Sequence, residues 1–336
     1  MAKIGMIGAG SWGTALAVLL TNNGHEVTMW SAIESEIDML NEKREHVDKL
    51  PGVILPEPMK FSKELESTIK EKDLLVLAVP SVFTRSTSKQ MKPFVADGQI
   101  IVNVAKGIEE DTLKTLSEII EEEIPQANVA VLSGPSHAEE VGRGLPTTIV
   151  VGAKDKKTAE YIQGIFNSNV FRVYISPDIL GIELGAALKN VVALAAGMAD
   201  GLGYGDNTKA ALITRGIAEI TRLGVVMGGQ PETFAGLSGI GDLIVTCASM
   251  HSRNRRAGIL MGQGKTMQEA MDEVKMVVEG VYSAKAGYQL SKKYNIYMPI
   301  ISKMNEILFE GKKASDAVRE LMEKDANIEH STLKWD

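Results

Sequence analysis

At 336 residues, 44% of them hydrophobic, the chain can bury a sizeable core and suits two domains better than one. A formal net charge of −7 and a pI near 5.5, with no long run of Lys or Arg, leave no basic footprint for nucleic acid. The single cysteine, Cys247, excludes an internal disulfide and a thiolate metal site, which points to a reducing compartment, the cytoplasm.

The chain starts with an apolar stretch behind Lys3 that could pass for a secretory signal. Gly5, Gly8, Gly10 and Gly13 interrupt it and no small-x-small cleavage site follows, so no export is expected. No uninterrupted apolar run reaches the roughly 20 residues that span a bilayer. The first half then alternates short apolar runs with helical periods, which predicts an α/β N-terminal domain with a Rossmann-like, doubly wound parallel sheet. The expected strands are 3–7, 26–30, 73–79, 100–104 and 129–133, followed by 147–151 and 171–174; helices are expected at 12–22, 33–41, 83–91, 112–123 and 157–166. After Ser176-Pro177 helical periods dominate, so an all-α C-terminal domain is expected, giving domains at 1–177 and 178–336. It opens with a long helix over 178–199 and a glycine-rich turn. A second long helix over 208–227 is expected to have Asn207 or Thr208 near its N-cap.

Between the first strand and the first helix lies Gly8-Ala9-Gly10-Ser11-Trp12-Gly13, a G-x-G-x-x-G. These glycines serve a tight turn, close approach of backbone to a pyrophosphate, and close helix–strand packing, with the phosphates on the helix N-terminus. The next strand ends in Trp30-Ser31-Ala32, with neither the acid that binds the ribose 2′-hydroxyl of NAD nor an Arg for the 2′-phosphate of NADP, so both cofactors stay open. Ligands of such sheets sit beyond the carboxyl ends of the strands, where "NVAKGI" offers Lys106 and "LSGPSHAEEV" offers Ser136.

In "LGAALKNVVALAAGMA", Lys189 stands beside Asn190 in a helix of small and apolar residues that looks buried all round. An ammonium there costs several kcal/mol unless it is paired, neutralised or facing a polar cleft. Desolvation lowers its pKa and a carboxylate raises it, so the balance can leave an amine that accepts and returns a proton. Further on, glycines 236, 239 and 241 make a turn able to bring Asp242 against a ligand. Ser252-Arg253-Asn254 at a helix start combines an arginine, a hydroxyl and free N–H groups, a good phosphate site. His137 and His251 read as structural or exposed, and Cys247 as packed core.

Taken together, "GAGSWGTALA", "NVAKGIE", "LSGPSHAEEV", "LGAALKNVVALAAGMADGLGYGDNTKAALITRG", "LSGIGDL" and "SRNRRAG" closely resemble the bacterial NAD(P)-dependent glycerol-3-phosphate dehydrogenases, over residues 4 to about 280. The resemblance implies reversible hydride transfer between sn-glycerol 3-phosphate and dihydroxyacetone phosphate, for phospholipid synthesis. It implies that Lys189 is the proton acceptor and that Lys106, Gly134, Ser136, Lys189, Asp242, Ser252, Arg253 and Asn254 meet the substrate. It implies cofactor positions at Ser11, Trp12, Lys106, Ala138, Arg253, Val277 and Glu279, beside Gly8, Gly10 and Gly13 of the glycine loop. On this reading Asp242 orients Lys189 and holds its charged form, Lys106 helps fix the substrate, and no metal is required. Many members that prefer NADPH carry Arg where this chain has Ser31 and Ala32, so a strong NADP preference is not implied. A homodimer is compatible with the sequence. Two alternatives are another β-hydroxyacid dehydrogenase acting on a carboxylate, and a non-catalytic dinucleotide sensor.

Overall fold

The computed structural model describes residues 1–323. Its ten strands are β1 (Lys3–Ile7), β2 (Glu26–Trp30), β3 (Glu45–His46), β4 (Leu50–Ile54), β5 (Lys60–Ser62), β6 (Leu74–Leu77), β7 (Ile100–Asn103), β8 (Asn128–Ser133), β9 (Thr147–Ala153) and β10 (Phe171–Ser176). Eight form one sheet in the order β10-β9-β8-β7-β6-β1-β2-β5, and β3 with β4 makes a separate hairpin. Alternate strand residues face opposite ways, as a pleated sheet requires. Ile4, Met6, Leu74 and Val76 join Leu16, Leu20, Ile162 and Phe166 in one core, whereas Ile7, Leu75 and Leu77 join Ile69, Met91, Ile120 and Ile124 in another. Helices therefore cover both faces of the sheet. The chain winds outward from β1 in one direction through β2 and β5 and in the other from β6 through β7 to β8, so the order reverses between β1 and β6.

The sheet departs from the expected all-parallel form at one place, where β8 and β9 pair antiparallel. Their connection, 134–146, holds only the short helix Ala138–Gly142, which packs against the helix Ser11–Asn22 instead of crossing the sheet. The helix expected over 112–123 begins later, at Leu116, because Thr115 and Glu118 form a capping box there. The second long helix is Asp206–Val226 and is capped by the backbone of Gly205, without a side chain from Asn207 or Thr208. Asp206 thus occupies its first turn, where the helix dipole favours a carboxylate. β3 and β5 are too brief to show alternation, and Pro51 and Gly52 break the apolar pattern of β4, so these strands were not expected.

Beyond β10 the described chain is helical, with Ile179–Gly201 at its centre and Asp242–Ala248, Arg253–Gly262 and Glu279–Lys293 packed on it. Residues 324–336, the end of the expected second domain, lie outside the described residues. By length and composition Ile179–Gly201 could cross a bilayer, but 89% of its most apolar window is buried inside the protein. Its small residues allow backbone contact: a Cβ on Gly197 would lie 2.1 Å from the Arg255 carbonyl oxygen, and one on Gly258 would lie 2.2 Å from that of Leu194. Gly258→Ala should accordingly destabilise the protein by about 1–3 kcal/mol through overpacking. Thermal unfolding followed by circular dichroism checks this, and an unchanged midpoint would contradict the close approach of the two helices.

Candidate active site

Backbone geometry gives the glycines of the loop different tasks. Gly8 has φ +115°, and a Cβ there would lie 2.8 Å from the Ala78 carbonyl oxygen at the end of β6. A Cβ on Gly13 would lie 2.2 Å from the Gly8 carbonyl oxygen, whereas one on Gly10 would meet nothing within 4 Å. Gly8 and Gly13 close the turn, and Gly10 borders open space. The helix that follows has no side-chain cap, so its first N–H groups remain free to bind an anion. Ser11 and Trp12 are partly exposed there, and the Trp12 indole Nε1 is buried without a hydrogen-bond partner among the described residues. An open cradle, free N–H groups and an orphaned donor fit a dinucleotide pyrophosphate.

Lys189 is buried, as its helix required, and it is paired. Its Nζ donates to Asp242 Oδ1 at 2.9 Å and to Thr246 Oγ1 at 2.6 Å. The other Asp242 oxygen accepts from Lys106 Nζ at 2.6 Å, and Lys106 also donates to the Gly134 carbonyl at 3.1 Å. One carboxylate, only 2% exposed, therefore bridges two ammonium groups that arrive from the end of β7 and from the long helix. Asp242 opens the helix Asp242–Ala248 directly after the π-helical turn Leu237–Gly241. A Cβ on Gly239 would lie 2.0 Å from the Phe234 carbonyl oxygen, so this turn needs glycine.

Burial pushes the Lys189 ammonium down to about 8, Asp242 opposing the shift and Lys106 adding to it. Burial alone would raise the Asp242 carboxyl, but Lys106 and Lys189 together hold it below its ordinary value. Glu183, the other ionisable residue of the long helix, is pushed up to about 7 by burial, while Ser117 hydrogen bonds oppose the shift. Its carboxylate accepts from Ser117 N at 2.9 Å and ties the helix to the sheet half.

Around this centre, Ser136 Oγ donates to the Gly134 carbonyl at 2.9 Å, so Lys106 and Ser136 converge on one oxygen. Ala138 is buried in the same segment. Ser252 caps the helix Arg253–Gly262, its Oγ accepting from Arg255 N at 3.1 Å. Asn254 donates to Asn190 Oδ1 at 2.9 Å and accepts from Gly280 N at 2.8 Å. Arg253 is partly buried and has no hydrogen-bond or ion-pair partner among the described residues. Glu279 accepts from Ser81 N at 3.0 Å and from the Ser81 hydroxyl, joining the helix Glu279–Lys293 to the end of β6, with Val277 just before that helix. Cys247 is fully buried, and the His137 and His251 rings lie 5.7 Å apart. Among the described residues there is no His, Cys, Asp and Glu cluster able to hold a metal.

The sequence reading did not assign Asn190, Thr246 or Ser81 to the site. Thr246 lies one helical turn after Asp242, a spacing that could have been used. Asn190 and Ser81 find their partners only through the fold.

Two family models cover most of the chain. Residues 3–159 match the N-terminus of NAD-dependent glycerol-3-phosphate dehydrogenase, and residues 178–319 match its C-terminus. This chain belongs to the NAD-dependent glycerol-3-phosphate dehydrogenase family. Within the family it is 67% identical over 335 residues to glycerol-3-phosphate dehydrogenase [NAD(P)+] of Agathobacter rectalis, covering 100% of both chains. It is 61% identical over 331 residues to the enzyme of the same name from Fusobacterium nucleatum, covering 98% of this chain and 99% of the relative. The crystal structure of glycerol-3-phosphate dehydrogenase from Coxiella burnetii superposes with a TM-score of 0.93 at 36% identity, covering 96% of this chain and 99% of that one.

Proposed function

We propose that this protein catalyses reversible hydride transfer between sn-glycerol 3-phosphate and dihydroxyacetone phosphate, with NAD or NADP as cofactor, and so supplies glycerol 3-phosphate for phospholipid synthesis. The carrying observation is the buried Lys189–Asp242–Lys106 bridge, which keeps an amine of depressed pKa beside the carboxyl ends of the strands. A bound nicotinamide would supply or accept the hydride at carbon 2 of the substrate. Lys189 takes the proton of the carbon-2 hydroxyl as the carbonyl forms, and its ammonium returns that proton to the carbonyl oxygen in the opposite direction. Asp242 holds Lys189 in place and stabilises its charged form through the 2.9 Å hydrogen bond. Lys106 and Ser136, meeting at the Gly134 carbonyl, frame the substrate, while Arg253 with the Ser252 and Asn254 helix start receives its phosphate. Gly8, Gly10, Ser11, Trp12, Gly13, Ala138, Val277 and Glu279 shape the cofactor side. Residues 1–177 serve as the dinucleotide-binding domain and 178–336 as the substrate domain. A cytoplasmic location fits the single, buried, unpaired Cys247.

Steady-state assays following NADH or NADPH absorbance, with dihydroxyacetone phosphate and with 2- and 3-keto acids, test this reading. Turnover is expected with dihydroxyacetone phosphate and not with the keto acids. Activity confined to the keto acids would make the protein a carboxylate-directed dehydrogenase, and dinucleotide binding without turnover on any of them would make it a sensor.

A further inference from the structure

The strand end that lacks both usual cofactor signals is backed by an ion pair. Gly8 N donates to the Trp30 carbonyl at 2.9 Å, which sets the glycine loop beside the end of β2. The next residue, Ser31, is buried, and its hydroxyl donates to Glu36 Oε2 at 2.7 Å while accepting from Ile33 N at 3.1 Å. The second oxygen of Glu36 takes the Lys49 ammonium, which reaches over from the β3–β4 turn. His46, 1% exposed, accepts from Lys49 N at 3.3 Å and so anchors the backbone of the β3–β4 turn. Glu36 and Lys49 keep 13% and 29% of their side-chain surface, so both stay within reach of a ligand.

In a sheet of this kind the ribose of the adenosine half lies just beyond the end of the second strand. A lone carboxylate there accepts the 2′-hydroxyl and repels a 2′-phosphate, and a lone cation does the reverse. This chain places one of each, joined to each other. We propose that Glu36 and Lys49 are opposed selectivity elements, Glu36 accepting the ribose 2′-hydroxyl of NAD(H) and Lys49 turning from Glu36 to the 2′-phosphate of NADP(H). The Ser31 hydroxyl holds Glu36 in position when Lys49 leaves. The pair is neutral as a unit, so neither cofactor meets an uncompensated charge. The inference rests on the protein being a dinucleotide oxidoreductase.

Titrating the wild type, Glu36→Gln and Lys49→Met with NADH and NADPH in the absence of substrate, followed by the change in tryptophan fluorescence on binding, tests it. Loss of one charge-assisted hydrogen bond or one repulsion should move the ratio of the NADPH to the NADH dissociation constant by about tenfold, downward in Glu36→Gln and upward in Lys49→Met. The ratio is read within each preparation, so a reduced folded fraction does not alter it, and either variant alone decides the outcome. A ratio equal to that of the wild type in the variants, with both dinucleotides bound, overturns the selectivity role and leaves the oxidoreductase reading intact. Wild-type protein that binds neither dinucleotide overturns both.

Discussion

Lys189→Met should lower turnover by about 10³-fold, the usual contribution of a positioned proton-transfer group, while NADH binding stays within about threefold of the wild type. Met keeps the stem of the side chain, so the helix Ile179–Gly201 should retain its packing. Asp242 keeps its 2.6 Å partner Lys106 and is not left as an unpaired buried charge. The same amine fixes the pH dependence. Because burial lowers the Lys189 pKa to about 8, the fraction of neutral amine rises as pH passes through that value. Alcohol oxidation, which needs the base, should accelerate with rising pH through about 8, and carbonyl reduction, which needs the ammonium, should fall off above it. Opposite slopes in the two directions, both lost in the variant, are the expected result. Near-normal turnover of Lys189→Met, or slopes of the same sense in both directions, would remove Lys189 from proton transfer.

The parts of the molecule legible from sequence are those whose cause is local. The glycine loop declares itself because Gly8 requires a positive φ and Gly13 a close backbone contact, constraints that fall within six residues. Lys189 is legible because burial of its helix follows from composition alone, and a cation in such a helix needs an explanation. What pairs with it is another matter. Lys106 and Asp242 are 136 residues apart in sequence, and nothing in their spacing says that one carboxylate holds both amines. The Glu36–Lys49 pair was unreadable for the same reason. The usual selectivity residue is looked for at Ser31 and Ala32, whereas Glu36 lies in the helix Glu34–Lys43 and Lys49 beyond it, and only the fold joins the two.

Fold errors have a physical origin as well. A strand buried on both faces reads as a continuous apolar run in either direction, so β8 and β9 carry no mark of their antiparallel pairing. The late start of Leu116–Glu123 was available in the Thr115–Glu118 spacing, where a local cap overrides the helical period that continues upstream.

Arg253→Leu should raise the Michaelis constant for dihydroxyacetone phosphate by about 100-fold, the loss of a bidentate charge-assisted contact, with a smaller change in turnover. It should not lower the melting temperature. The reason is the state of Arg253 without ligand: burial lowers its pKa, Arg256 repels it, and the carboxylates of Glu279 and Glu139 favour its charge without bonding to it. Glu279 is committed to Ser81. A partly buried cation left in this condition costs stability, so it contributes little to the fold of the free protein and much to the complex with an anion. Thermal unfolding with and without inorganic phosphate separates the two roles. Phosphate should raise the melting temperature of the wild type by mass action and leave Arg253→Leu unmoved. A large fall in melting temperature with an unchanged Michaelis constant would instead make Arg253 a packing residue, and the phosphate of the substrate would then have to be held by the backbone at the start of the helix Arg253–Gly262 alone.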